Sequence, residues 1–336
     1  MKQHTLIIAE AGVNYNGSIE IAKRMVEAAA KAGADIVKFQ TGLPEKTISI
    51  FAVKADYQKK NTHDEGGEES QIDMARKLNL QWEDYPELLQ CCKDNGIQFL
   101  STSFDIESAI FLKSLGQKSW KIPSGEVTNL PLLRHVAHYG EPIIMSTGMC
   151  RLEEVRDALA VLDREGAGEI TLMQCNTQYP TPYRDANLRA MLTLQNEFGR
   201  KVGYSDHTLG IEVSLAAVAM GATVIEKHFT LDRNMEGPDQ VASIEPHELK
   251  ALVSGIRNIE EAMGTGIKTP SASEIENMPI ARKSIVAARD IRKGEILCEE
   301  NLACKRPGDG ISPMLWDQVC GTKAVRDFCY DEKIEL

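Results

Sequence analysis

The 336-residue chain lacks several common signatures, and each absence removes a class of function. No apolar run is long enough to span a bilayer, which excludes a transmembrane helix. There is no signal-peptide pattern, and Met1-Lys2-Gln3-His4 runs straight into an expected strand, so we expect a cytoplasmic protein. None of the eight Cys forms a CxxC pair. Cys91-Cys92 fall on an expected helix and Cys175 ends a buried strand, so we assign the thiols to neither disulfides nor a metal. After the first strand, Ala11-Gly12-Val13-Asn14 lacks the glycine spacing of a dinucleotide fingerprint. Basic residues are outnumbered, 38 Lys and Arg against 49 Asp and Glu, for a formal net charge of -11. That balance argues against nucleic acid and against an anionic membrane as partners, while leaving room for a local basic pocket.

What is present is a regular alternation of strand and helix patterns. Short apolar runs at 5–11, 35–41, 98–104, 119–123, 142–147, 170–175, 201–205 and 223–229 read as parallel strands covered on both faces. Helical periodicity fills gaps at 19–32, 85–95, 107–115, 152–165 and 211–220, and Gly33, Gly96, Gly116, Gly166 and Gly221 follow these as stops. Eight such units point to an α/β fold, a closed (β/α)8 TIM barrel over residues 1–264 with 248–263 as its last helix. A doubly wound open sheet is the rival, but it gives no reason for the number eight. The long connection 43–81 is read as a lid or as a solvated insertion, with a short helix near 70–78. Gly264-Thr265-Gly266, Pro270-Ser271 and Pro279 mark a linker over 265–282. Short strands and turns over 283–336 make a small β-rich domain, marginal on its own.

Polar residues gather at the expected strand ends. His207, in Ser205-Asp206-His207, and His228 end adjacent strands, where two imidazoles could share one divalent ion with Asp206 and Glu226 nearby. Taken singly, each would be an ordinary loop histidine. Lys38 and Lys121 sit within apolar strands, which is costly unless each meets an anion. Internal carboxylates, Glu10 and Glu126, are one answer. The other is a cradle for a phosphate and a carboxylate, built with Ser124, Ser146, Ser205 and the backbone N–H groups of Ser124-Gly125 and Thr147-Gly148. A metal beside an anion pocket points to carbon–carbon or phosphoryl chemistry on a small anionic substrate.

A series of motifs then carries a resemblance: Ile8-Ala9-Glu10-Ala11-Gly12-Val13-Asn14-Tyr15-Asn16-Gly17, Val37-Lys38-Phe39-Gln40-Thr41, Lys121-Ile122-Pro123-Ser124-Gly125-Glu126, Ser146-Thr147-Gly148-Met149, Tyr179-Pro180-Thr181-Pro182, Gly203-Tyr204-Ser205-Asp206-His207, Glu226-Lys227-His228-Phe229-Thr230 and Gly237-Pro238-Asp239. In this order they resemble the bacterial sialic acid synthases, and Ile291–Glu295 with Lys305–Gly310 resembles that family's antifreeze-like (SAF) domain. The resemblance implies N-acetylneuraminate synthesis, in which phosphoenolpyruvate condenses with open-chain N-acetylmannosamine and phosphate is released. Related synthases use 2,4-diacetamido-trideoxy hexoses and make legionaminic or pseudaminic acid. It implies a divalent ion, Mn²⁺ first with Mg²⁺ or Co²⁺ as alternatives, on His207 and His228. It places phosphoenolpyruvate on Lys38, Lys121, Ser124, Ser146 and Ser205, and the sugar on Glu10, Tyr179 and Asp239. Glu126 becomes a candidate proton carrier, with Gln40 and Asp206 lining the same space. Arg306 would meet the N-acetyl group from a neighbouring chain, in a domain-swapped homodimer. Two positions depart from the family pattern. Cys175-Asn176-Thr177-Gln178 offers Asn176 or Thr177 to the phosphate, and Ile280 stands where some members place an aromatic over the sugar. A sugar-phosphate binder without catalysis is the alternative from another class.

Overall fold

The computed structural model describes residues 4–64 and 66–336. Met1–Gln3, expected to lead into the first strand, and Glu65 of the acidic run 64–69 lie outside the described residues. The chain divides into two units, one ending at Gly264 and one running Thr265–Leu336.

In the first unit eight strands run parallel: β1 Leu6–Gly12, β2 Ile36–Thr41, β3 Gln98–Ser103, β4 Trp120–Ile122, β5 Ile143–Ser146, β6 Ile170–Cys175, β7 Lys201–Asp206 and β8 Val224–His228. Their hydrogen-bonded order is β3-β2-β1-β8-β7-β6-β5-β4. First and last strands therefore pair, with Glu10 in register with His228. The ring closes where β3 and β4 approach each other. At that seam the Gln117 side chain accepts the Ser101 N–H at 2.9 Å and donates to the Ser101 carbonyl at 3.0 Å, standing in for a strand partner. Helices Ile19–Ala32, Tyr85–Asp94, Ile106–Ser114, Leu130–Ala137, Leu152–Arg164, Arg189–Phe198, Glu212–Ala219 and Pro246–Ala262 follow the strands in turn. This is a (β/α)8 barrel, and it removes the open-sheet alternative.

The two-residue period of a strand decides what each side chain faces. Ile7, Ala9, Val37, Phe39, Trp120, Ile122, Ile143, Met145, Val202, Tyr204 and Ile225 pack outward in the large core between strands and helices. Ile8, Ile36, Leu100, Ile144, Met173 and Val224 form a separate apolar layer inside the ring. Two residues further along the same strands come Glu10, Lys38, Thr102, Ser146, Cys175 and Glu226, all lining one cavity. The barrel interior thus has an apolar plug and, stacked on it, a polar floor.

The segment between β2 and Tyr85–Asp94 holds three short helices, Pro44–Thr47, Asp56–Asn61 and Gln71–Leu78. It is tied down by Lys54, whose buried ammonium meets Asp64 at 2.7 Å and Glu69 at 2.6 Å.

In the second unit β9 Ser284–Ala287 pairs antiparallel with β10 Leu302–Lys305. It has its own core of Ile285, Ala287, Ile291, Leu297, Leu302, Val319, Ala324, Phe328 and Ile334. Part of the stretch expected as linker is helical, at Ala272–Ile275 and Met278–Ala281. Among the described residues no helix is long and apolar enough to cross a membrane.

Gly203 shows how tightly the ring is drawn. A Cβ there would come within 2.5 Å of the Val224 carbonyl oxygen on the next strand. We expect Gly203→Ala to cost about 1–3 kcal/mol, read as a lower midpoint in chemical denaturation. An unchanged midpoint would contradict this packing.

Candidate active site

The cavity holds about 410 Å³ and opens at the C-terminal ends of the strands. Its floor is a chain of alternating buried charges. Lys38 Nζ lies 2.7 Å from Glu10 Oε2 and 3.7 Å from Glu226 Oε2. Lys121 Nζ lies 2.9 Å from Glu226 Oε2 and donates to Ser146 Oγ at 2.7 Å. Lys38 also donates to Thr102 Oγ1 at 3.1 Å, and Ser205 Oγ donates to Glu226 Oε1 at 3.1 Å. Gln40 Nε2 donates to Glu10 Oε1 at 3.1 Å.

The two carboxyls differ in kind. Burial pushes Glu226 up, but Lys121 and Lys38 outweigh it and hold the group down at about 2. Burial also pushes Glu10 up; Lys38 pulls against it, the charge of Glu226 adds to the rise, and the net direction is upward. Lys38 stays charged despite its burial because Glu10 and Glu226 face it. A further negative charge entering the floor raises Glu10 again, so Glu10 is the carboxyl that gives way.

Above the floor stand the imidazoles. The His207 and His228 ring centroids are 5.2 Å apart. His207 Nδ1 donates to the Asn176 carbonyl at 2.5 Å; burial pushes this imidazole down, but Cys175 and that carbonyl outweigh it and raise it, so Nε2 offers a lone pair in the neutral form of the ring. Burial, then the neighbouring His207, hold His228 well below the usual imidazole range, so its ring is neutral. Its Nδ1 is buried without a hydrogen-bond partner and lies 3.9 Å from Asp239 Oδ2. Burial raises the Asp239 carboxyl to about 6, with His207 opposing and Glu10 adding. Tyr179 stacks on His207 at 4.1 Å, meets His228 edge-on at 5.3 Å, and is itself covered by Tyr57 at 5.2 Å.

On the opposite rim, Ser124 Oγ accepts the Gly148 N–H at 2.8 Å. A Cβ on Gly148 would sit 2.9 Å from both Ser124 Oγ and Thr177 Cγ2, so backbone and hydroxyl close in here as only glycine permits. Glu126 lines the cavity, accepts from Asn129 Nδ2 at 2.6 Å, and has its carboxyl pushed up by burial.

Thirteen of the expected residues thus border one cavity: Glu10, Lys38, Gln40, Lys121, Ser124, Glu126, Ser146, Thr177, Tyr179, Ser205, His207, His228 and Asp239. Three do not. Asp206 falls between inward-facing Ser205 and His207, so it points out of the barrel. There it meets Lys227 at 2.9 Å and accepts from Ser214 Oγ, Thr208 Oγ1 and the Thr208 N–H. Asn176 has its side chain spent inside its loop, accepting from the Gln178 N–H and Thr181 Oγ1 and donating to the Asp185 carbonyl, so Thr177 is the residue on the cavity wall. Arg306 belongs to the second unit and is exposed there. The carboxylate expected opposite Lys121 is also different: Glu126 lies one turn beyond β4, and Glu226 takes its place.

Glu226 is the main residue that sequence reasoning left without a role. Stepping back two from His228 along one strand finds it. Cys175 is found the same way from Met173, and its thiol lies 3.8 Å from His207 Nδ1. Tyr57, on an insertion helix, carries no such signal.

A parallel barrel whose strand ends bring two lysines, three serines and two imidazoles to one cavity has the donor set for a small anionic ligand. Comparison with known proteins narrows it. The NeuB family model matches residues 25–268 and the SAF domain model residues 282–332. The chain belongs to the NeuB family and ends in a SAF domain. It is 53% identical to an N,N′-diacetyllegionaminic acid synthase of Campylobacter jejuni, over 98% of each chain. It is 46% identical to that of Legionella pneumophila, over 94% of this chain and 89% of the relative. A solved N-acetylneuraminic acid (sialic acid) synthetase of Leptospira borgpetersenii is 33% identical with a TM-score of 0.71, covering 82% of this chain and 90% of that one.

The placement of Asp206 makes a clear expectation. Asp206→Asn should cost about 3 kcal/mol of stability by stranding Lys227, while the KM values of the folded protein stay within about two-fold. Unchanged stability with altered KM would return Asp206 to the cavity.

Proposed function

We propose that this protein condenses phosphoenolpyruvate with an open-chain 2,4-diacetamido-trideoxy hexose to form a legionaminic-type nonulosonic acid and phosphate. The observation that carries the acceptor is the 53% identity, over nearly the whole chain, with the Campylobacter jejuni legionaminic acid synthase. N-acetylmannosamine, the first expectation from the motifs, is supported only at the level of the family. The charged floor supports the donor, because a buried Lys38–Lys121 pair with Ser146 and Ser205 at its edge suits a phosphate and a carboxylate held together.

In this reading the enol carbon of phosphoenolpyruvate attacks the sugar aldehyde and forms the carbon–carbon bond. Water adds to the resulting cation, and the C–O bond to phosphate breaks. Lys38 and Lys121 hold the donor and spread its charge. Ser124 and the Gly148 region close on the phosphate. Glu126, raised by burial and within the cavity, is the proposed proton carrier. Tyr179 and Asp239 position the sugar. Glu10, raised where Glu226 is lowered, is the floor carboxyl that accommodates the incoming charge.

The two imidazoles fit a divalent ion: His228 is neutral with an unpartnered Nδ1, and the tautomer of His207 is fixed by Asn176. Among the described residues no group of three or more His, Cys, Asp or Glu could hold a metal, so the remaining ligands would be water and substrate. Mn²⁺, Mg²⁺ or Co²⁺ held there would supply Lewis-acid polarisation of the aldehyde. A contribution of Arg306 from a neighbouring chain, and with it a domain-swapped homodimer, belongs to the same proposal.

The test is phosphate release with phosphoenolpyruvate, Mn²⁺ and each sugar. We expect kcat/KM for the diacetamido sugar to exceed that for N-acetylmannosamine by at least about ten-fold, a margin of the size one buried polar match gives. The reverse order would overturn the acceptor assignment. Chelation should abolish turnover and added Mn²⁺ restore it; His228→Ala should lose activity by about 100-fold or more with an unchanged melting temperature. Activity that survives both would remove the metal.

A further inference from the structure

One wall of the cavity comes from the insertion after β2 and has a different character from the floor. Gln71, Met74, Ala75 and Leu78 of the Gln71–Leu78 helix all face the cavity. Their spacing of three, four and seven residues is a single helical stripe. Three of the four are apolar, and the polar one is unsatisfied: Gln71 Oε1 is buried with no hydrogen-bond partner. Gln58, on the same insertion and the same cavity, has its Oε1 occupied by the Ala55 N–H at 2.9 Å, which leaves its amide N–H donors available.

A lone buried acceptor, a spare amide donor and an apolar surface form the complement of a secondary amide bearing a methyl group. A sugar hydroxyl fits worse. It could donate to Gln71 Oε1 and accept from Gln58, but it brings no methyl to Met74, Ala75 and Leu78, whose apolar surface would then be left facing a polar oxygen or water. We propose that this stripe recognises the acceptor's second acetamido group. Gln71 accepts its N–H, Gln58 donates to its carbonyl, and Met74, Ala75 and Leu78 pack on its methyl. The proposal rests on the acceptor reading above and deepens it, assigning the preference for the diacetamido sugar to an insertion rather than to the barrel strands.

The test compares the wild type, Gln71→Leu and Gln71→Glu on the diacetamido sugar and on N-acetylmannosamine. In Gln71→Leu we expect kcat/KM for the diacetamido sugar to fall about ten-fold, mostly through KM. For N-acetylmannosamine the change should stay below about two-fold, as should the KM for phosphoenolpyruvate. Gln71→Glu, which keeps an acceptor in place, should recover most of the loss. If Gln71→Leu does not fold, Ala75→Leu fills the methyl's space and should show the same selective loss. Equal losses on both sugars, or none, with the wild-type preference intact, would overturn the proposal and leave the acceptor reading standing. A wild type without that preference would overturn the acceptor reading and this proposal together.

Discussion

The structure depends on a run of buried opposite charges, Glu10–Lys38–Glu226–Lys121, laid across the middle of the barrel. Charges this deep are costly unless each is paired and hydrogen-bonded. Here Thr102, Gln40, Ser146 and Ser205 complete the pairing. The apolar layer beneath, from Ile8 to Val224, keeps water out from below and makes the pairing strong. In our proposal the same run also receives the anion. Glu226 is held ionised while Glu10 is pushed towards its neutral form, so an arriving anion can claim the lysines without forcing two carboxylates to stay charged against it. On that reading anion binding and fold stability use the same residues.

Much of this was legible from the sequence because a barrel strand translates sequence parity into direction. Ile170–Cys175 matches its expected span, and the other seven strands differ only at their ends. The Lys38, Lys121, His207 and His228 positions came from strand-end logic, and all four reach one cavity. Asp206 shows the same logic misapplied. Sitting between two site residues, it has the wrong parity, and its partner Lys227 has the matching outward parity on β8. Glu226 is hidden for the opposite reason: its closeness to His228 in sequence masks that it lies two back on the same face of β8.

Other features were less readable. Leu130–Ala137 has no glycine directly after it, although Asn129 caps it by accepting the Leu132 N–H. Arg189–Phe198 does end on Gly199 in the left-handed region, but a proline-rich loop precedes it. The insertion after β2 obeys no barrel parity, so Tyr57 and Gln58 could be placed on the cavity only by the fold. A short helix near 70–78 is legible, but nothing in the sequence says that its Gln71 face meets the cavity. Donor chemistry at the floor and, in our proposal, acceptor recognition at the wall is a division that barrels permit, because strands fix one and loops carry the other.

The most direct measurement is calorimetric titration of phosphoenolpyruvate into the wild type and Lys121→Met, with Lys38→Met as a second variant. Methionine keeps the length of the side chain and removes its charge. The account predicts that each substitution weakens binding by about 100-fold or more, since a charge-assisted contact in a buried site is lost, while circular dichroism still shows a folded barrel, with its melting temperature lowered by the stranded carboxylate. Binding of phosphoenolpyruvate at wild-type affinity by either folded variant would contradict it.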